Sequence, residues 1–154
     1  MIDEEFEIQS NAESMIEVED RLFHFCHTYN IGSYFSTISY AAKQAVENAV
    51  VHGNGCASGK TVGVRMGECR GGVFVEVADQ GNGFDYARYG GLPDGQEDPG
   101  EGIFVMKRLA DKVEYSAGGR KVRLEFMVDG VDQSVAMGRI ETLQHYFAKE
   151  RALA

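Results

Sequence analysis

At 154 residues the chain is long enough for one domain, or one domain with a terminal extension. Hydrophobic residues make up 44% and aromatics 10%, which supplies a packed core and excludes a disordered chain. A net charge of −9 argues against general affinity for nucleic-acid backbone; solubility or a basic protein partner accounts for it.

The N-terminus, Met1 to Glu7, is acidic and has no apolar leader core, and no later run approaches membrane-spanning length. The expectation is a cytoplasmic protein without a membrane segment. Glu5-Phe6-Glu7-Ile8-Gln9 alternates and predicts a strand. Ser10-Asn11 offers a helix cap, and Met15, Ile16, Val18, Leu22, Phe23, Phe25 and Cys26 follow at helical spacing. Gly32-Ser33 interrupts, and a second helix is predicted from about Tyr34 to His52, ended by Gly53-Asn54-Gly55. Thr61–Met66 and Val73–Val77 alternate as strands, with Gly71-Gly72 as the hairpin turn. From Gly81 to Gly100 the chain is rich in Gly, Asp and Pro and aperiodic, a loop of functional length. A third helix spans Gly102 to about Asp111, strands cover Val113–Ser116 and Val122–Val128 around Gly118-Gly119, and Gln133 to Ala152 is helical in pattern. This order predicts an α+β two-layer sandwich: a mostly antiparallel mixed sheet with helices on one face.

Three short stretches carry chemistry. In the second helix, Gln44 and Asn48 lie on one face about 40° apart, polar among Ala and Val. A buried unpaired amide costs on the order of 1–3 kcal/mol, so both need partners. The choice is between a helix–loop hydrogen bond and a metal–phosphate site, where an amide oxygen suits Mg²⁺. Asp79 ends an apolar strand before Gly81 and Gly83. It is either a plain turn or a carboxylate that accepts from the exocyclic amine of adenine, with the glycines admitting the base. Gly100 and Gly102 open the third helix, where N–H groups and the dipole attract anions. Glu101 between them opposes phosphate unless it turns outward, and Lys107 and Arg108 fit a solvated face.

Two motifs are set aside. Ser58-Gly59-Lys60-Thr61 resembles the end of a phosphate-binding loop, but Asn54 stands where its first glycine belongs, and a helix precedes and a strand follows, the reverse of the required context. Cys26, Cys56 and Cys69 are an odd, widely spaced set without ligand spacing to the four histidines, as expected of thiols in a reducing compartment.

The segments Asn48-Ala49-Val50-Val51-His52-Gly53, Asp79-Gln80-Gly81-Asn82-Gly83 and Gly100-Glu101-Gly102-Ile103, with the helix on to Tyr115, resemble the Bergerat-fold (GHKL) ATPases, and among these the small anti-sigma-factor serine/threonine kinases. The resemblance covers about Glu4 to Val128 and implies an ATP-binding domain over residues 1–130, with residues 131–154 as a C-terminal helical extension. It implies ATP and Mg²⁺ as cofactors. Asn48 would be the metal ligand; His52, Asp79, Gly81, Gly83, Gly100, Gly102, Ile103 and Arg120 would join it in the cofactor site, and Phe84 to Pro99 would form the lid. It further implies a homodimer that holds a sigma factor and phosphorylates a serine of an antagonist protein in a partner switch, without direct contact to nucleic acid. Two positions depart from the family: Gln44 stands where a glutamate general base is expected, and Arg120 follows Gly118-Gly119 where a threonine is usual. A neutral amide cannot accept the proton of an attacking hydroxyl, and Glu47, about 60° around the helix, is expected to be exposed. The resemblance therefore leaves two readings: an active kinase, or an ATP-binding interaction module with little or no phosphotransfer.

Overall fold

The computed structural model describes residues 3–83, 85–86 and 99–128, with His145 and Ala148 beyond them. Its elements are strand β1 (Asp3–Gln9), helices α1 (Met15–Thr28) and α2 (Phe35–Glu47), strands β2 (Thr61–Cys69) and β3 (Gly72–Ala78), helix α3 (Pro99–Leu109), and strands β4 (Lys112–Ser116) and β5 (Lys121–Met127). The strands form one sheet in the order β1-β2-β3-β5-β4. Every pairing among the described residues is antiparallel, so the parallel component allowed for by a mixed sheet is not seen there. Most of the proposed lid, Phe84 and residues 87–98, and the C-terminal helical extension lie outside the described residues, apart from His145 and Ala148, which are helical.

Alternation decides the layers. Phe6 and Ile8 of β1, Val62, Val64 and Met66 of β2, Val73, Val75 and Val77 of β3, and Val122, Leu124 and Phe126 of β5 point inward. They meet Val18, Leu22 and Phe25 of α1, Ile38, Ala42, Ala45 and Val46 of α2, and Ile103 and Met106 of α3. The sheet's other face has no helix over it among the described residues and is closed by charge. The guanidinium of Arg123 lies 3.9 Å from the centroid of the Phe74 ring, and that of Arg65 lies 5.1 Å away. Glu76 joins the two arginines at 3.2 Å and 3.1 Å, so Phe74 is buried without an apolar partner layer.

Three local boundaries differ from the sequence expectation, each for a physical reason. The β2–β3 loop is Arg70-Gly71, with Cys69 paired to Gly72; Gly71 takes the left-handed φ of 82°, and Gly72 is in the ladder, where a Cβ would overlap the Phe126 carbonyl. Helix α2 keeps α geometry only to Glu47, and Asn48–Gly53 continues as a π turn. Its signature is the bond from the Asn54 N–H to the Ala49 carbonyl, five residues back, at 2.8 Å. Helix α3 begins at Pro99, ahead of Gly100 and Gly102, because proline fits the first helical position where no N–H is needed.

Candidate functional site

The three stretches converge at the end of the sheet where β3, the β4–β5 turn and the π turn meet. A cleft there is lined by Ala45, Asn48, Ala49, Val77, Asp79, Tyr115, Gly119, Arg120 and Val122. It is narrow, with about 20 Å³ of water-accessible space, room for roughly one water. The ring of Tyr86, itself not a lining residue, stacks on Tyr115 with centroids 4.6 Å apart and planes 14° from parallel.

Asp79 is half-buried at the tip of β3 and is held from several directions. Its own N–H donates to the Arg120 carbonyl at 2.8 Å, and its Oδ1 accepts from the Gly81 N–H at 2.8 Å. Oδ2 has no hydrogen-bond partner among the described residues. Gly53 packs so closely that a Cβ there would overlap the carboxylate, and a Cβ on Gly81 would overlap the Gly53 carbonyl. Glycine is required at both positions by that approach rather than by φ. At Gly83, φ is 80° and a Cβ would overlap the Gly118 carbonyl, which seats this loop on the β4–β5 turn. Burial raises the Asp79 carboxyl above its ordinary range; the Gly81 N–H and the charges of Arg120 and Lys60 oppose that rise.

Asn48 is half-buried at the junction of α2 and the π turn. Its amide lies against the first turn of α3, since a Cβ added to Gly102 would stand 2.9 Å from Nδ2 and 3.2 Å from Oδ1. The metal–phosphate candidate and the anion candidate are thus neighbours in space. Gly100 and Gly102 are both buried in that first turn, and Glu101 between them is half-buried. Arg120 is exposed at the cleft rim, where its Nε donates to the Ala117 carbonyl at 2.9 Å.

Other expected residues are placed elsewhere. Ile103 is fully buried in the core, and His52 is exposed on the π turn; neither lines the cleft. Gln44 is half-buried one turn before Asn48, also outside the lining. Its amide makes no hydrogen bond among the described residues; partial exposure lets water take the place of the partner that full burial would have required. Glu47 is exposed and lines a different, apolar cavity of about 340 Å³ with Asn11, Met15, Lys43, Val50 and Cys56. It is therefore turned away from Asn48. The Ser58–Lys60 segment leads into β2, which confirms that it is no phosphate loop. The roles of one cleft residue and of one residue packed behind the cleft carboxylate escaped the sequence reading. Tyr115 is the inward residue of an alternating strand, and burial pushes its phenol pKa up. Gly53 had the appearance of a helix stop only.

A carboxylate framed by glycine backbone, an amide oxygen and a helix N-terminus are donor and acceptor types that suit a nucleotide with a hard cation, gathered here on an α+β domain. Over residues 9–126 the chain matches the histidine kinase-like ATPase domain, and it belongs to that family. Membership of an ATPase domain family implies ATP binding. None of the curated proteins matches the chain. Among the described residues, no helix is long and apolar enough to cross a membrane.

Proposed function

We propose that the protein is an ATP-binding regulator of the anti-sigma-factor type, which holds a sigma factor or its antagonist according to the state of the bound nucleotide. The observation that carries the nucleotide half of this reading is the Asp79 carboxylate, pinned through Oδ1, with Asp79 lining the cleft beside Tyr115. The Asp79 carboxylate would accept from the exocyclic amine of adenine, and Gly81 and Gly83 serve it by seating the loop against the Gly53 and Gly118 carbonyls, so the base enters only as the narrow cleft widens. Asn48 Oδ1 is the Mg²⁺ ligand; Gly100 and Gly102 turn the start of α3 toward the phosphates, and Arg120 adds a cation at the rim. Bound Mg²⁺-ATP supplies a transferable phosphoryl group and the charge that stabilises its transfer. The chain supplies position and electrostatics.

Phosphotransfer to a serine is slow in this reading, because no carboxylate stands where the base is needed. Gln44 is neutral, and Glu47 faces the cavity on the other flank of α2. Loss of a general base typically lowers the rate by about 10²–10⁴-fold. The partner switch then depends on which nucleotide is bound more than on phosphorylation. The partners, and the homodimer in which such proteins act, follow from the resemblance to anti-sigma kinases.

The test is gel filtration of the purified protein with each sigma factor and candidate antagonist of its host, in Mg²⁺-ATP and in Mg²⁺-ADP. A complex that forms in one nucleotide and dissolves in the other supports the switch. Binding of neither class of partner in either nucleotide removes it and leaves an ATP-binding domain of other use.

A further inference from the structure

Asn54 is a polar residue only 3% exposed, just past the π turn, and its whole amide is engaged. Nδ2 donates to Ser10 Oγ and to the Thr61 carbonyl, each at 2.9 Å, and Oδ1 accepts from the Gln80 N–H at 2.7 Å. Ser10 Oγ donates onward to the Lys60 carbonyl at 2.7 Å, and Gln80 Oε1 accepts from the Thr61 N–H at 2.8 Å. One side chain thus ties the end of β1 and the start of β2 to the loop that follows β3.

The point of attachment matters. Asp79, Gln80 and Gly81 present three successive backbone N–H groups, and all three are taken: by the Arg120 carbonyl, by Asn54 Oδ1 and by Asp79 Oδ1. Two of these anchors lie within the site itself. Asn54 is the one that reaches in from outside it, and it holds the residue next to the carboxylate. Its own position is fixed by the Asn54 N–H bond that defines the π turn, which also carries Gly53 onto the carboxylate.

We infer that Asn54 is a positioning residue that sets the Asp79 carboxylate and thereby the preference for adenine over guanine; this rests on the nucleotide reading of the site. Adenine offers a donor amine at the position where guanine carries a carbonyl, so a carboxylate held in place attracts one base and repels the other. A carboxylate free to swing by a fraction of an ångström discriminates less. A purely structural role would lower the folded fraction and leave the preference of the folded molecules unchanged.

The experiment is calorimetric titration of Mg²⁺-ATP and Mg²⁺-GTP into wild type, Asn54→Ala, Ser10→Ala and Asp79→Asn, with melting curves on each. Asn54→Ala is expected to compress the ATP:GTP affinity ratio by about tenfold, and Ser10→Ala, which removes one of the three partners, by roughly two- to threefold. Asp79→Asn is expected to abolish the preference. A lowered melting temperature with a wild-type ratio in Asn54→Ala overturns the inference; if that variant does not fold, a wild-type ratio in Ser10→Ala does so. Wild-type affinity and ratio in Asp79→Asn instead bring down the nucleotide reading, and the inference with it.

Discussion

At the Asp79 end of the cleft every backbone donor from residue 79 to 81 is held, and glycine backbone crowds the carboxylate from two sides. At the Asn48 end the side-chain amide packs on Gly102, and one turn earlier Gln44 has no hydrogen-bond partner among the described residues. The first end is over-determined, by three backbone anchors in succession. A site that recognises a base needs a fixed acceptor, because hydrogen-bond selectivity is lost within fractions of an ångström. Efficient phosphoryl transfer also uses a base near the acceptor hydroxyl, and under the proposed function Gln44, an amide, stands at that position. The proposed function thus predicts that nucleotide recognition and phosphotransfer separate in this chain.

The substitution that would break this contrast most strongly is Gln44→Glu. Restoring the carboxylate is expected to raise serine phosphotransfer by about 10²–10⁴-fold, read as transfer of labelled phosphate to the partner. Equal, robust rates in wild type and variant would show that the chain does not lack a base. A pair of glycine substitutions sharpens the contrast at the level of binding. Gly53→Ala drives a methyl into overlap with the Cγ of a carboxylate anchored through Oδ1, whereas the methyl of Gly102→Ala stands 2.9 Å from the nearest atom of the Asn48 side chain, a smaller overlap. ATP affinity should fall by about tenfold or more in the first and only several-fold in the second, measured by calorimetry. The reverse order would show that the Gly102–Asn48 approach matters more to ATP binding than the Gly53–Asp79 one.

A smaller effect comes from titration. The folded-state pKa of Asp79 is raised above 3.8, chiefly by burial. A raised carboxyl pKa favours the fold below the unfolded-state pKa, and that contribution is lost as pH rises through the folded-state value. At neutral pH the ionised carboxylate therefore costs the apo protein some stability, and Asp79→Asn is expected to raise its melting temperature by about 1–2 °C. Binding has the opposite dependence: ATP needs the ionised acceptor, so affinity should decline on acidification while the pH is still above 3.8. An apo variant less stable than wild type at neutral pH would show that the carboxylate is not under strain.

Much of this was legible in the sequence. Alternation in β2, β3 and β5 reflects one buried face, and the Asp79-Gln80-Gly81-Asn82-Gly83 stretch marks its own turn. What escaped depended on contacts distant along the chain. The π turn is closed by a bond whose partner, Asn54, is itself held by Ser10 and Thr61, and Asn54 had only the look of a turn residue between two glycines. Gly53 looked like a helix stop because its use, the approach to Asp79, involves a residue 26 positions away in a different element. Ile103 looked like a site residue because it adjoins Gly102, yet the helix turns its side chain into the core.

The most direct measurement is calorimetric titration of Mg²⁺-ATP into wild type and Asp79→Asn, side by side at neutral pH. Saturable binding to the wild type that weakens by about 10–100-fold in the variant is the expected result, the scale of losing a charged hydrogen bond. Equal binding to both proteins would contradict the assignment of Asp79 as the adenine acceptor.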